Sequence, residues 1–220
     1  MSSVHKSLIG KWALKKWYIV HAPPIFKCVE IGEVPADSPD KLLNRTIEIS
    51  LFELTRDLSH IPIKLKFQIY RVEGDHAYTR FKQQELTRDY VRSLVRRGSS
   101  KIVTIHDVTT PDGAKMRIQV LAVTAYRCNT SHKRAIRAIT RSRLEEFAKY
   151  LKFDDYVLAL VFGAISQDVL LHAKKIYPLR KVEILKVKVL DYPEPLKKVE
   201  VVEKPAIAEA ASAEEASSSS

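Results

Sequence analysis

The sequence predicts an α+β fold: a largely antiparallel sheet, which could curl into a barrel-like form, with flanking helices. Three observations lead there. Period-2 or β-branched runs recur along most of the chain, helical spacing interrupts them irregularly, and one Pro-Asp-Gly turn joins two runs directly into a hairpin. A doubly wound α/β protein would instead alternate strand and helix throughout.

The elements follow in chain order. Trp17–His21 and Phe26–Ile31 read as weak strands. Thr46–Leu54 sets Ile47, Ile49 and Leu51 against Glu48 and Ser50, the alternation of a half-buried strand. The same pattern is strongest where Ile61, Ile63, Leu65, Phe67 and Ile69 alternate with Pro62, Lys64, Lys66, Gln68 and Tyr70. His76–Phe81 is a weaker strand. At Leu86–Arg97 the spacing turns helical: Tyr90, Val91, Leu94 and Val95 cluster on one side, and Gly98 stands where a C-terminal cap belongs. Ile102–Thr109 and Ala114–Ala125 flank the turn Thr110-Pro111-Asp112-Gly113, the clearest hairpin. A long helix is expected over His132–Leu151, with Ile136, Ile139, Leu144, Phe147 and Leu151 facing inward. Shorter helices fit Asp155–Phe162 and Ser166–Ile176, the second with Ser166 as N-cap and Tyr177-Pro178 as terminator. Val182–Leu190 is a closing β-branched strand.

Composition narrows the function. The 220 residues hold 37 Lys+Arg against 26 Asp+Glu, a net charge of +11. The charge is uneven. Residues 196–220 carry three Lys and five Glu, leaving +13 for the first 195. Residues 1–195 therefore read as one basic globular domain, and the Ala/Glu/Ser stretch 196–220 as a disordered acidic tail with too little apolar surface to offset ordering. Two cysteines, Cys28 and Cys128, exclude a disulfide framework and a four-Cys zinc site. Six scattered glycines argue against a glycine-rich phosphate cradle. No apolar run has the length of a transmembrane helix, and Met1–Trp17 is too polar for a secretory signal. Asn129-Thr130-Ser131 fits the glycosylation pattern by chance, and no internal repeat is present. A soluble, intracellular protein that meets a polyanion is the expectation.

The cations are arranged, not scattered. At 100° per residue Arg88, Arg92 and Arg96 share a helix face, opposite Tyr90, Val91 and Leu94, and Arg97 and Lys101 extend the charge beyond it. Arg127, Lys133, Arg134, Arg137, Arg141 and Arg143 form a second cluster, uninterrupted by any acid before Glu145. A solvated helix without a polyanion to meet would mix in carboxylates at i,i+4. Arginine dominates, and its planar fork suits phosphate. Lys15 and Lys16, beside Trp12, Trp17 and Tyr18, could grip phosphates while a ring stacks on a base; a core role for Trp17 reads equally well.

Catalytic constellations are missing from the pattern. Cys128 and His132 have a metal-pair spacing, but no second pair completes a tetrahedral site. His106 and Asp107 are adjacent on an expected strand, so their side chains point to opposite faces. No nucleophile elbow, paired cysteines or carboxylate cluster appears. The site expectation is thus one of RNA-binding cations, with no catalytic residue, no cofactor and no metal.

Several motifs carry a resemblance. Lys16-Trp17-Tyr18, Ala22-Pro23 and Ile31-Gly32 precede Glu48-Ile49-Ser50-Leu51; Glu85-Leu86-Thr87-Arg88-Asp89 and Ser93-Leu94-Val95-Arg96-Arg97 lead to the Thr109–Gly113 turn. Ile136-Arg137, Ile165-Ser166-Gln167-Asp168, Ile176-Tyr177-Pro178-Leu179-Arg180 and Lys186-Val187-Lys188-Val189-Leu190 follow. Over residues 11–192 this resembles the archaeal–eukaryotic small-subunit ribosomal protein family eS-one, formerly S-three-A-e. The resemblance implies a structural, non-enzymic protein of the cytoplasmic ribosome, on the small-subunit platform near the messenger exit side and the 3′ region of the rRNA. It also implies contact with neighbouring ribosomal proteins, with messenger RNA near the exit as a further partner, and no membrane or small-molecule substrate. The long basic N-terminal extension of eukaryotic members is absent and the tail is acidic, which points to an archaeal-type member. The scarcity of Asn (Asn44 and Asn129) suits a thermophile. Two alternatives stay open: a free-standing RNA-binding or RNA-chaperone module, and a nucleic-acid-processing enzyme.

Overall fold

The computed structural model describes residues 15–194, residue 196 and the backbone of 200–202. Its strands are β1 (Lys16–His21), β2 (Glu30–Ala36), β3 (Thr46–Ser50), β4 (Ile63–Glu73), β5 (His76–Leu86), β6 (Lys101–Thr109), β7 (Lys115–Thr124), β8 (Leu179–Asp191) and β9 (Glu200–Val202). The helices are α1 (Leu51–Thr55), α2 (Arg88–Leu94), α3 (Thr130–Tyr150), α4 (Phe153–Val161) and α5 (Ala164–Lys174).

All nine strands share one sheet, with the path β2-β1-β5-β8-β7-β6 and β4 joining β5 to β3 and β9. Pairing is antiparallel except for β1 with β5 and β4 with β9. β5 branches the sheet: β4 runs along one edge, while β1 and β8 divide the other between the strand's first and second halves. The α+β expectation holds. Among the described residues no ladder closes the sheet into a barrel.

Alternation decides which face is buried. Met116, Ile118, Val120 and Ala122 of β7, with Val182, Ile184, Val187 and Val189 of β8, form the core with α3, α4 and α5. The hairpin turn is as expected: Gly113 takes φ +80, and its N–H donates to Thr110 O at 2.9 Å.

Several expectations need correction. Ser50 ends β3 and N-caps α1 in a capping box with Glu53, so Leu51–Leu54 are helical, not strand. Phe26 ends a 3-10 turn opened by Pro24, and the next strand begins only at Glu30. β5 runs on to Leu86, which shortens α2 to Arg88–Leu94; Val95 is already extended, and Gly98 at φ +81 serves the Arg96–Ser99 turn instead of capping the helix. In α3 the buried stripe is Ile136, Thr140, Leu144 and Ala148 at i,i+4 spacing, flanked by Phe147 and Leu151; Ile139 is half-buried. The N-cap of α5 is Gly163, and Ser166 is buried within the helix. Tyr18, not Trp17, takes the core position of β1; Trp17 is exposed, and Trp12 lies outside the described residues. Finally, Glu200–Val202 pairs with Arg71–Glu73, so part of the stretch expected to be a tail belongs to the sheet.

Candidate nucleic-acid interface

Helices α2 and α3 lie on opposite faces of the β6–β7–β8 region, yet their cations meet at one end of it. Val91 of α2 clusters with Leu121 and Val123 on one face, while Ile136 and Leu144 of α3 enter the main core on the other. The chain leaves α2 through residues 95–100 into β6, and leaves β7 through residues 125–129 into α3. Ser100 clasps the two connections. Its N–H donates to Thr124 Oγ1 at 2.8 Å, Thr124 N–H donates to Ser100 O at 3.1 Å, and Cys128 N–H donates to Ser100 Oγ at 3.2 Å.

This clasp holds the connection that carries Arg96, Arg97 and Lys101 against the one that leads through Arg127 into α3, whose first turns carry Lys133 and Arg134. A third connection joins them: Ala125 N–H donates to Pro178 O at 2.9 Å, and Tyr177 Oη donates to Arg127 O at 2.7 Å. Arg180 and Lys181, the second and third residues of β8, therefore lie at the same end. Lys101 and Lys181 flank Val123 from its two sides in the ladder.

Beneath α2, a cleft of about 450 Å³ is lined by Arg88, Arg92, Lys101 and Lys186, with Gln119 and Glu85 among its other residues. Lys186 reaches Glu85 at 3.4 Å. Arg92 meets Asp89 at 3.8 Å, an exposed pair that contributes little. Arg88, Arg92, Arg96, Arg97, Lys101, Arg127 and Arg134 are exposed, and Lys133 is half-buried. Cations brought this close repel one another, and a bound polyanion relieves the repulsion. Burial pulls the Lys181 ammonium down in pKa, but the Glu183 carboxylate at 2.8 Å and the Tyr90 hydroxyl outweigh it and hold the group above its ordinary value.

The other expected residues divide. Arg137 is half-buried, and its Nε donates to Val103 O at 3.3 Å, covering an edge of β6 that no strand pairs with among the described residues. Arg141 is exposed and borders a hollow with Ile105, His106, Asp107 and Arg117. Arg143 departs from the expectation. Its Nε and Nη2 donate to Asp168 at 2.7 and 3.1 Å and its Nη1 to Glu146, so the guanidinium ties α3 to α5. Lys15 and Lys16 also stand apart. β1 runs parallel to β5 with Ile19 opposite His76, which puts Lys16 beyond the start of β5, while α2 follows its end roughly 33 Å away. Sequence reading missed Arg180, Lys181 and Lys186. The alternate-position spacing of Lys186 and Lys188 was the available signal, but only pairing shows which face of β8 is open.

A helix-covered sheet with a clustered cationic end is the build of a nucleic-acid-binding α+β protein. Residues 3–193 match the model of the Ribosomal S3Ae family, and the chain belongs to that family. A relative from Pyrobaculum arsenaticum, named small ribosomal subunit protein eS1, is 51% identical over 201 residues, covering 91% of this chain and 90% of its own. Relatives of the same name from Archaeoglobus fulgidus and Desulfurococcus amylolyticus are 48% and 46% identical; they cover 91% and 89% of this chain, and 93% and 92% of their own.

Proposed function

We propose that this chain is a structural constituent of the small ribosomal subunit, seated on rRNA at the platform near the messenger exit side, and that it supports translation from there. Family membership supports the ribosomal role, and with it a non-enzymic one in the cytoplasmic ribosome. The platform position, the 3′ region of the rRNA and messenger RNA near the exit rest on the motif resemblance. The observation that carries the RNA reading is that the cation-bearing connections of α2, α3 and β8 are hydrogen-bonded together at one end of the sheet. Phosphate contacts from such a surface position a protein without reading sequence, so recognition rests on rRNA shape. Neighbouring small-subunit proteins complete the set of partners.

The residues proposed to hold rRNA are Arg88, Arg92, Arg96, Arg97, Lys101, Arg127, Lys133 and Arg134, with Arg180, Lys181 and Lys186 added. Arg137, Arg141, Lys15 and Lys16 are secondary. Small subunits purified through a high-salt wash test the reading. One copy of the chain per subunit is expected; a chain that washes off while the subunit stays intact favours the free-standing RNA-binding module.

A further inference from the structure

We propose that the cleft between α4–α5 and the β5–β8 ladder receives an unstacked RNA base; this rests on the rRNA-bound reading above. The cleft has a volume of about 520 Å³, within the range of pockets that enclose a small organic ligand. Three rings stand among its largely aliphatic walls. Tyr90, His60 and Phe162 all line it, the His60 ring meets Phe162 edge-on at 5.8 Å between centroids, and Phe162 is 51% exposed.

Its deep side is polar and unsatisfied. Gln84 and Ser166 line the cleft at 2% and 5% exposure, and among the described residues neither Gln84 Oε1 nor Ser166 Oγ has a hydrogen-bond partner. Buried polar atoms left in that state are costly, so each calls for a partner. Ser166 is available because Gly163, at φ +80, holds the N-cap position of α5. A carboxamide and a hydroxyl supply both donors and acceptors, which is what the edge of a base requires.

The rim is cationic. Arg180 and Lys181 line the same cleft; Lys181 pairs there with Glu183 at 2.8 Å and shares a 2.5 Å hydrogen bond with Tyr90 at the border with α2, so Arg180 is the cation offered to a phosphate. The pocket thus opens onto the cationic end, where the phosphates of a bound strand would run. Rings for stacking, a carboxamide and hydroxyl for the base edge, and an arginine for the phosphate fit a nucleotide.

The test uses small subunits assembled with the full chain carrying Phe162→Ser or Gln84→Met, probed along the rRNA with dimethyl sulfate for A and C and with a water-soluble carbodiimide for U and G. Phe162 is exposed, so its replacement leaves the core intact even where the Gln84 variant fails to fold. One unpaired rRNA nucleotide is expected to become roughly fivefold more reactive, the equilibrium change of one lost neutral contact, with the chain still at one copy per subunit. An unchanged reactivity profile with the Phe162 variant present at one copy overturns the proposal. So does a p-benzoylphenylalanine placed at position 162 that cross-links to a neighbouring protein instead of rRNA. Absence of the unsubstituted chain from purified subunits overturns the ribosomal reading, and this proposal with it.

Discussion

Ser100 and Thr124 hold each other in both directions: Ser100 N–H donates to Thr124 Oγ1 at 2.8 Å, and Thr124 N–H returns to Ser100 O at 3.1 Å. Thr124 is fully buried, and its hydroxyl donates onward to Tyr126 O at 2.6 Å. Thr124→Val keeps the shape and removes the hydroxyl, leaving Ser100 N–H unsatisfied. A loss of about 1–3 kcal/mol in urea unfolding is expected. RNA affinity should fall by more than that stability loss accounts for, because the clasp aligns the two cation clusters.

The Arg143–Asp168 pair gives a pH prediction. Paired hydrogen bonds from Arg143 hold the Asp168 carboxyl below its ordinary value, against a smaller upward push from burial. A lowered folded pKa adds stability that is complete above the unfolded value of about 4 and is lost as pH falls through the folded one. Asp168→Asn should therefore cost about 1–2 kcal/mol at pH 7, with the gap to the parent closing toward pH 3. Denaturant titrations at the two pH values check this. RNA affinity at pH 7 should stay unchanged, since Asp168 lies on α5, outside the proposed cationic surface.

The Ser50–Glu53 capping box fixes where β3 gives way to α1. Ser50→Ala removes the oxygen that accepts Phe52 N–H and should cost about 1 kcal/mol by chemical unfolding. Ser50→Asp, which can still cap, should restore most of it.

Binding of the isolated chain to an rRNA fragment should depend steeply on salt. With about six phosphates neutralised, affinity should fall ~10³-fold between 50 and 200 mM monovalent salt. A fall under tenfold, measured by filter binding, would mean that the cationic end is not the contact surface.

What could be read from the sequence followed local rules. The β6–β7 hairpin was legible because period-2 alternation and Pro-Asp-Gly agree on it, and α3 because 21 residues keep one helical stripe. Ser50 was misread because Leu51 continues the strand's alternation, although Ser-x-x-Glu was there to signal a cap. Leu86 serves as a strand end in the α2 cluster, and an apolar residue beside a helix start carries no mark of which it is. The site was legible as two charge clusters and no further. Their meeting depends on Ser100 reaching Thr124 and Cys128, 24 and 28 residues away, and on Val123 lying between Lys101 and Lys181. The engagement of Arg143 with Asp168, 25 residues distant, was hidden for the same reason.

The central claim is that one cationic end, assembled from α2 and α3, holds the chain on rRNA. Arg92→Glu with Arg134→Glu reverses an exposed charge on each helix without touching the core. Sedimentation of the double variant against assembled small subunits is the most direct test. The account predicts a folded protein, unchanged in circular dichroism and unfolding midpoint, that stays at the top of the gradient while the parent co-sediments. A double variant that co-sediments at one copy per subunit would contradict it.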